Sequence, residues 1–239
     1  MNKLESLYEG KAKILYKTDS EGILIQHFKD DATAFDGIKK GSIGGKGRAN
    51  NLISSRLFRL LEKSGIKTHY IETLSDNEMS VHDVQIIPVE TVVRNISTGS
   101  LCKRYGLEEG LEFQKPIVEF YYKSDELHDP LMNNDHIIAM DLANAEELEE
   151  IRILALKVNE ILKGFFDSIG VILVDFKLEF GRCAEGILLA DEISPDTCRF
   201  WEKETKRKMD KDRFRQDLGD VEETYEEMLT RITGANGDS

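Results

Sequence analysis

The chain lacks the marks of several function classes. It has three cysteines, Cys102, Cys183 and Cys198, in 239 residues, with no CxxC spacing. That excludes a disulfide scaffold and a thiolate metal knuckle, and it fits a reducing cytoplasm. The five histidines (His27, His69, His82, His128, His136) are scattered, without the spacings of a zinc site. No apolar run is long enough to span a bilayer, and MNKLESLYEG has no apolar core, so neither an anchor nor a secretory leader is expected. Basic residues are few: 32 Lys and Arg against 45 Asp and Glu leave a formal charge of −13. Nucleic acid and anionic membranes both select a basic surface, so neither is an expected partner. An anionic small ligand stays possible, because a few clustered cations and a metal reverse the field locally. There are no repeats or low-complexity blocks. Stretch 41–47 is glycine-rich but lacks the GxxxxGK[ST] spacing, and Lys46 is followed by Gly47, so it is not a Walker A loop.

What is there is a soluble globular composition, 40% hydrophobic and 32% charged, in a chain long enough for one large domain or two small ones. It is organised around 171–191, VILVDFKLEFGRCAEGILLAD. Four apolar residues lead in. Then Asp175, Lys177 and Glu179 fall on one strand face and Phe176, Leu178 and Phe180 on the other. A turn edged by Gly181 and Gly186, and a second apolar run ending at Asp191, complete a predicted hairpin. An acid-base-acid row is either a solvated face or a surface with something charged over it. The apolar lead-in marks a central strand and favours the second. A hard cation such as Mg²⁺ takes oxygen ligands and brings phosphates with it. If the register sets Asp191 beside Glu179, the two carboxylates would share that cation.

Residues 6–28 predict strand, turn, strand, with Lys11 and Lys13 on one face behind Gly10. Edge lysines discourage aggregation. The alternative is a glycine-started hairpin over nucleotide phosphates. The stretch 41–47 reads as a mobile surface loop, or as a lid over the site. A helix is predicted over 48–64, with Leu52, Ile53, Leu57, Leu60 and Leu61 inward. Pro88 interrupts an apolar strand and predicts a junction between two lobes, with adenine the expected guest. Arg94 stands in a β-branched run and needs an anion, either a structural carboxylate or a substrate group. Ser100 reads as the N-cap of a short helix, where a phosphate also sits well. Lys123 ends a strand from 116. Helix 144–168 is predicted from its apolar spacing, opened by Asn144 with Glu147 as a capping box. Residues 193–199 predict a loop, with Arg199 either a surface residue or an anion ligand. Helices are predicted over 211–218 and about 221–232, and the six residues from Gly234 as a disordered tail.

The segments YEGKAK, DDATAFDG, PVETVVRN, TGSLCKRYG, HDPLMN, LVDFKLEFG, DEISPD and MDKDRFRQ occur in that order. The ordered set resembles the SAICAR synthetase family, in its compact bacterial form, over nearly the whole chain. The resemblance implies an α+β fold of antiparallel sheets with packed helices, in two lobes (1–84 and 85–239) related to ATP-grasp enzymes and protein kinases. It implies an ATP- and Mg²⁺-dependent ligase of purine biosynthesis. Such an enzyme joins L-aspartate to carboxyaminoimidazole ribonucleotide through an acyl phosphate. On the matching positions, Gly10, Lys11, Lys13, Lys123 and Glu90 belong to ATP. Glu179 and Asp191 hold Mg²⁺, and Lys177 lies between the metal and the transferred group. Arg94, Ser100 and Arg199 hold the anionic nucleotide, and Asp36 lies near the aspartate pocket. A cytoplasmic homodimer is the implied assembly. The competing readings are a small-molecule kinase of related fold and a non-catalytic nucleotide-binding module. The departures from the family pattern, in 38–45 and in the tail, bear on lid contacts.

Overall fold

Strands dominate the first third of the chain in the computed structural model, which describes residues 1–34 and 38–235. They are β1 (Lys3–Glu9), β2 (Lys13–Thr18), β3 (Ile23–Phe28), the short ribbon β4 (Asp31–Ala34) and β5 (Lys39–Ser42), and, after helix α1 (Lys46–Lys63), β6 (Tyr70–Ser75) and β7 (Glu78–His82). Five of them form an antiparallel sheet in the order β1-β2-β3-β7-β6. The remaining chain supplies β8 (Gln85–Ile86), β9 (Val89–Ile96), α2 (Gly99–Tyr105), β10 (Glu112–Tyr122), β11 (Leu131–Met132), α3 (Asn134–Ala139) and α4 (Ala145–Ser168). It continues with β12 (Val171–Cys183), β13 (Gly186–Ala190), β14 (Cys198–Glu202), α5 (Asp212–Arg215) and α6 (Val221–Gly234). The second sheet runs β11-β10-β9-β12-β13, with β8 and β14 also paired to β12. The fold is therefore α+β with antiparallel sheets, as expected. Among the described residues no helix is long and apolar enough to cross a membrane.

β12 is the centre of that sheet because it is apolar on both sides of its charged row. Val171, Leu173, Phe176, Leu178 and Phe180 are all buried, each worth on the order of 2 kcal/mol against exposure. α4 covers it, with Leu148, Ile151, Ala155, Val158, Leu162 and Phe166 buried one helical turn apart. The Asn144–Glu147 capping box is present, each residue's side chain accepting from the other's backbone N–H at 2.9 Å.

Three expectations need correction. The hairpin turn is tighter than predicted: β12 continues to Cys183, which pairs with Gly186. Gly181 lies inside the strand, where a Cβ would meet Val84 Cγ2 at 2.4 Å, so it serves the close approach of the β8 segment. The stretch 41–47 is no surface loop throughout. Ile43, Lys46 and Gly47 are buried, Gly44 N donates to Glu222 Oε1 at 2.7 Å, and a Cβ on Gly47 would meet Phe28 O at 2.5 Å. Gly47 serves that close packing, while Gly41, Gly44 and Gly45 remain exposed. Last, 193–199 is a loop only as far as Thr197; β14 begins at Cys198 and pairs with β12. The predicted tail falls partly in α6, which runs to Gly234, and 236–239 lie outside the described residues.

Candidate active site

The charged row of β12 forms one wall of a cavity of about 460 Å³. Glu179 is directly opposite Ala190 across the hairpin. Opposed residues share a face, so an extended Asp191 would point to the other side of the sheet. The chain avoids this by leaving the extended region: Asp191 has φ +63°, a left-handed conformation that aspartate tolerates. Both carboxylates line the cavity. Gln26 Nε2 holds the Asp191 carbonyl oxygen at 3.2 Å.

Lysines fill the spaces between these acids. Lys123 Nζ donates to both oxygens of Glu179 at 2.7 and 2.8 Å. Lys177 Nζ donates at 2.8 Å to Glu179 Oε1 and at 2.8 Å to Glu90 Oε1. Lys13 reaches in from β2 to pair with Asp191 and, at 2.9 Å, with Glu192. Lys11, just past Gly10, pairs with Asp125 at 2.7 Å. Burial and the Asp191 charge push the Glu179 carboxyl up, but Lys177 and Lys123 outweigh them and hold it below its ordinary value. Burial opposes the Asp191 carboxylate too, and Lys13, Lys177 and Lys123 depress it far more. Lys13 and Lys177 are raised by the same pairs against their own desolvation. Glu90 is raised, since burial exceeds the pull of Lys177. Among the described residues, eight acidic and eight basic side chains line the cavity, so these lining charges balance although the chain carries −13.

The far end is built on Asp175. The register sets Asp175 opposite Arg94 of β9 on one side and Arg199 of β14 on the other. Arg94 Nη1 donates to Asp175 at 2.7 Å, and Arg199 Nη1 donates to both its oxygens at 3.1 and 2.9 Å. Arg199 Nε also donates to Asp212 at 2.9 Å. Arg199 is therefore a strand residue in an ion-pair row, neither a loop nor a surface arginine. Ser100 is not the N-cap; that position is Thr98. Ser100 sits inside α2 and accepts from Arg94 Nη2 at 3.3 Å. Gly99, at φ +57°, leaves room for the guanidinium of Arg199, which a Cβ would meet at 2.7 Å.

Eleven of the twelve site residues expected from sequence have a described position. Gly10, Lys11, Lys13, Glu90, Arg94, Lys123, Lys177, Glu179, Asp191 and Arg199 line the cavity, with Ser100 joined to it through Arg94. Asp36 lies outside the described residues. Sequence reasoning passed over Asp196 and Lys211, which also line the cavity. Asp196 accepts from Lys46 at 3.0 Å, Lys211 at 3.3 Å and Tyr225 Oη at 2.6 Å. Burial resists its charge, but Lys211 and Lys46 hold it well below the carboxylate range. The available signal was their place in DEISPD and MDKDRFRQ. Among the described residues no group of three or more His, Cys, Asp or Glu is set to hold a metal ion. Two hard oxygen donors suit an ion of the Mg²⁺ type, which keeps waters and takes its other ligands from phosphate.

The SAICAR synthetase family model matches residues 6–232. The chain is also 60% identical over 234 residues to the phosphoribosylaminoimidazole-succinocarboxamide synthase of Thermoanaerobacter sp. (strain X514), covering 98% of this chain and 100% of that protein. This chain belongs to the SAICAR synthetase family. Solved members superpose closely. The phosphoribosylaminoimidazole-succinocarboxamide synthase from Ehrlichia chaffeensis gives a TM-score of 0.94 at 46% identity, covering 98% and 100% of the two chains. A SAICAR synthetase solved in complex with ADP gives 0.93 at 52% identity, with the same coverage.

Proposed function

We propose that this cavity carries out the SAICAR synthetase reaction, with the residues above in distinct roles. The chain is an ATP-dependent amide-forming ligase of purine biosynthesis. It joins L-aspartate, through its amine, to the carboxylate of carboxyaminoimidazole ribonucleotide, releasing ADP and phosphate. A carboxylate is a poor electrophile, so ATP first converts it to an acyl phosphate, which the amine then attacks. Such a transfer needs positioning and cations on the developing charge more than covalent help. Lys11, Lys13 and Lys123, behind Gly10, meet the ATP phosphates, and Glu90 lies beside them. Lys177 faces the transferred group. Glu179 and Asp191 are the pair to hold Mg²⁺, which when bound neutralises phosphate and carboxylate charge together. Arg94, Ser100 and Arg199 take the acceptor's phosphate, and Asp36 belongs near the aspartate pocket. Two lobes, 1–84 and 85–239, a homodimer and a cytoplasmic place of work complete the reading.

The observation that carries it is the turn of Asp191 into the cavity beside Glu179, with Lys13, Lys123 and Lys177 between the acids and the arginine row beyond. The test is ADP release with each substrate withheld in turn. A ligase sustains turnover only with L-aspartate present. A small-molecule kinase would release ADP without it, and a binding module would release none under any mixture. Sedimentation of the purified chain tests the homodimer.

A further inference from the structure

A serine hydroxyl has one proton to donate and two lone pairs to accept with. Both lone pairs of Ser100 are in use. Arg94 Nη2 and Arg104 Nη1 each donate to its Oγ at 3.3 Å. Its own proton must then point away from both guanidinium groups. The two arginines are themselves held by one side chain. Glu119, buried on β10, accepts from Arg94 Nε at 2.5 Å with one oxygen and from Arg104 Nη2 at 2.5 Å with the other. Tyr121, two residues along the same strand face, donates to the first of those oxygens at 2.8 Å and accepts from Arg94 Nη2 at 3.1 Å.

The β-sheet register makes this clamp. Glu119 is opposite Val92 of β9, and Ile117 is opposite Arg94. Glu119 is thus diagonal to Arg94, within reach of two long side chains. Arg104 arrives from α2 on the other side, so a strand and a helix close on a single carboxylate. Burial pushes the Glu119 carboxyl up. The Arg94 hydrogen bond and charge, with Tyr121 and Arg104, outweigh it and hold it below its ordinary value, so it stays ionised. Among the described residues Glu119, Tyr121 and Arg104 do not line the cavity. Ser100 is not among the lining residues either, so any effect of Glu119 on a ligand in the cavity passes through Arg94 and through the Ser100 hydroxyl bonded to it.

We propose that Glu119 is a positioning residue for the acceptor's phosphate: it fixes the planes of Arg94 and Arg104 so that Ser100 presents its hydroxyl proton, and Arg94 its charge, to that anion. This rests on the reading of Arg94 and Ser100 as ligands of the nucleotide. It also makes a counter-intuitive demand. A negative side chain beside a phosphate subsite should weaken anion binding by simple Coulomb repulsion. Here its removal should weaken binding, because the arginine planes lose their setting.

The experiment compares wild type, Glu119→Gln, Arg104→Lys and Ser100→Ala by steady-state kinetics. The acceptors are carboxyaminoimidazole ribonucleotide and its dephosphorylated nucleoside. Glu119→Gln should raise KM for the nucleotide about tenfold, the scale of one charge-assisted hydrogen bond. Its kcat, its KM for ATP and its rate with the nucleoside should be unchanged. A nucleotide KM that is unaltered or lowered means Glu119 only balances charge, and overturns the proposal. Arg104→Lys keeps the charge and loses the fork. It sits at a more exposed position, so it folds even if Glu119→Gln does not. It should raise the same KM, and an unaltered value overturns the clamp. Ser100→Ala is the control for the underlying reading. If it leaves the preference for nucleotide over nucleoside intact, the phosphate assignment falls and the proposal falls with it. If it abolishes that preference while Glu119→Gln changes nothing, the proposal alone falls.

Discussion

Asp191 shows how much a single dihedral decides. The hairpin register points its neighbours correctly and would point Asp191 itself away from Glu179. The left-handed turn at φ +63° brings its carboxylate into the cavity. Replacing Glu179 by Gln keeps its shape and removes its charge. Initial-rate assays should show kcat reduced on the order of 10²-fold or more, and near-normal turnover would dismiss it as a metal-holding group. Gly99→Ala should raise KM for the nucleotide, because a Cβ there meets the Arg199 guanidinium at 2.7 Å on a backbone already at positive φ. His69 is buried, and burial lowers it to about 4; Asp191 opposes this and Lys13 adds to it. The unfolded chain takes a proton near pH 6.5, and the folded chain does so only near pH 4. Its contribution is therefore full above pH 6.5 and is lost as pH falls toward 4, at up to about 1.4 kcal/mol per unit. Urea titrations should show the stability margin of wild type over His69→Leu shrinking between pH 7 and pH 5. The lysines and acids of the site were legible as residues in recognisable segments. Glu119, Arg104 and Asp196 were not, because their partners are distant in sequence and nothing local marks them as buried.

At the scale of elements, legibility followed periodicity. α4 was readable end to end, since its apolar spacing and its capping box are both local signals. Asn144→Ala should cost about 1 kcal/mol, visible as a lower Tm. β14 was hidden because only five residues, Cys198–Glu202, lie in a charged stretch, and its burial comes from pairing with β12. Glycine misled twice. Gly181 reads as a turn and is a strand residue against Val84; Gly47 reads as part of a surface loop and is buried in the first turn of α1 against Phe28. In both places the glycine answers a close approach from a segment that sequence proximity does not reveal.

Across the whole molecule, Asp196 ties α1, the loop before β14 and α6 into one unit through Lys46, Lys211 and Tyr225. Lys46 is fully buried, and a buried charge left with a neutral partner is expensive. Asp196→Asn should lower stability by about 3 kcal/mol, measured by urea unfolding. A divalent ion at the proposed Glu179–Asp191 site should behave oppositely. Glu179 and Asp191 already have lysine partners, so chelation of divalent ions should abolish turnover in the assay and leave Tm unchanged.

The sequence by itself determined the α+β character, the central charged strand, the long covering helix and the ordered motifs that resemble the family. These rest on periodicity, caps and short-range pattern. Only the tertiary structure decided which charges meet. The antiparallel register sets Arg94 and Arg199 on either side of Asp175. A positive φ turns Asp191 inward, and β10 and α2 converge on Glu119. The physical reason is the same in each case. A pattern along the chain states what a residue prefers, and the energy of a buried charge is set by whatever other segments bring beside it.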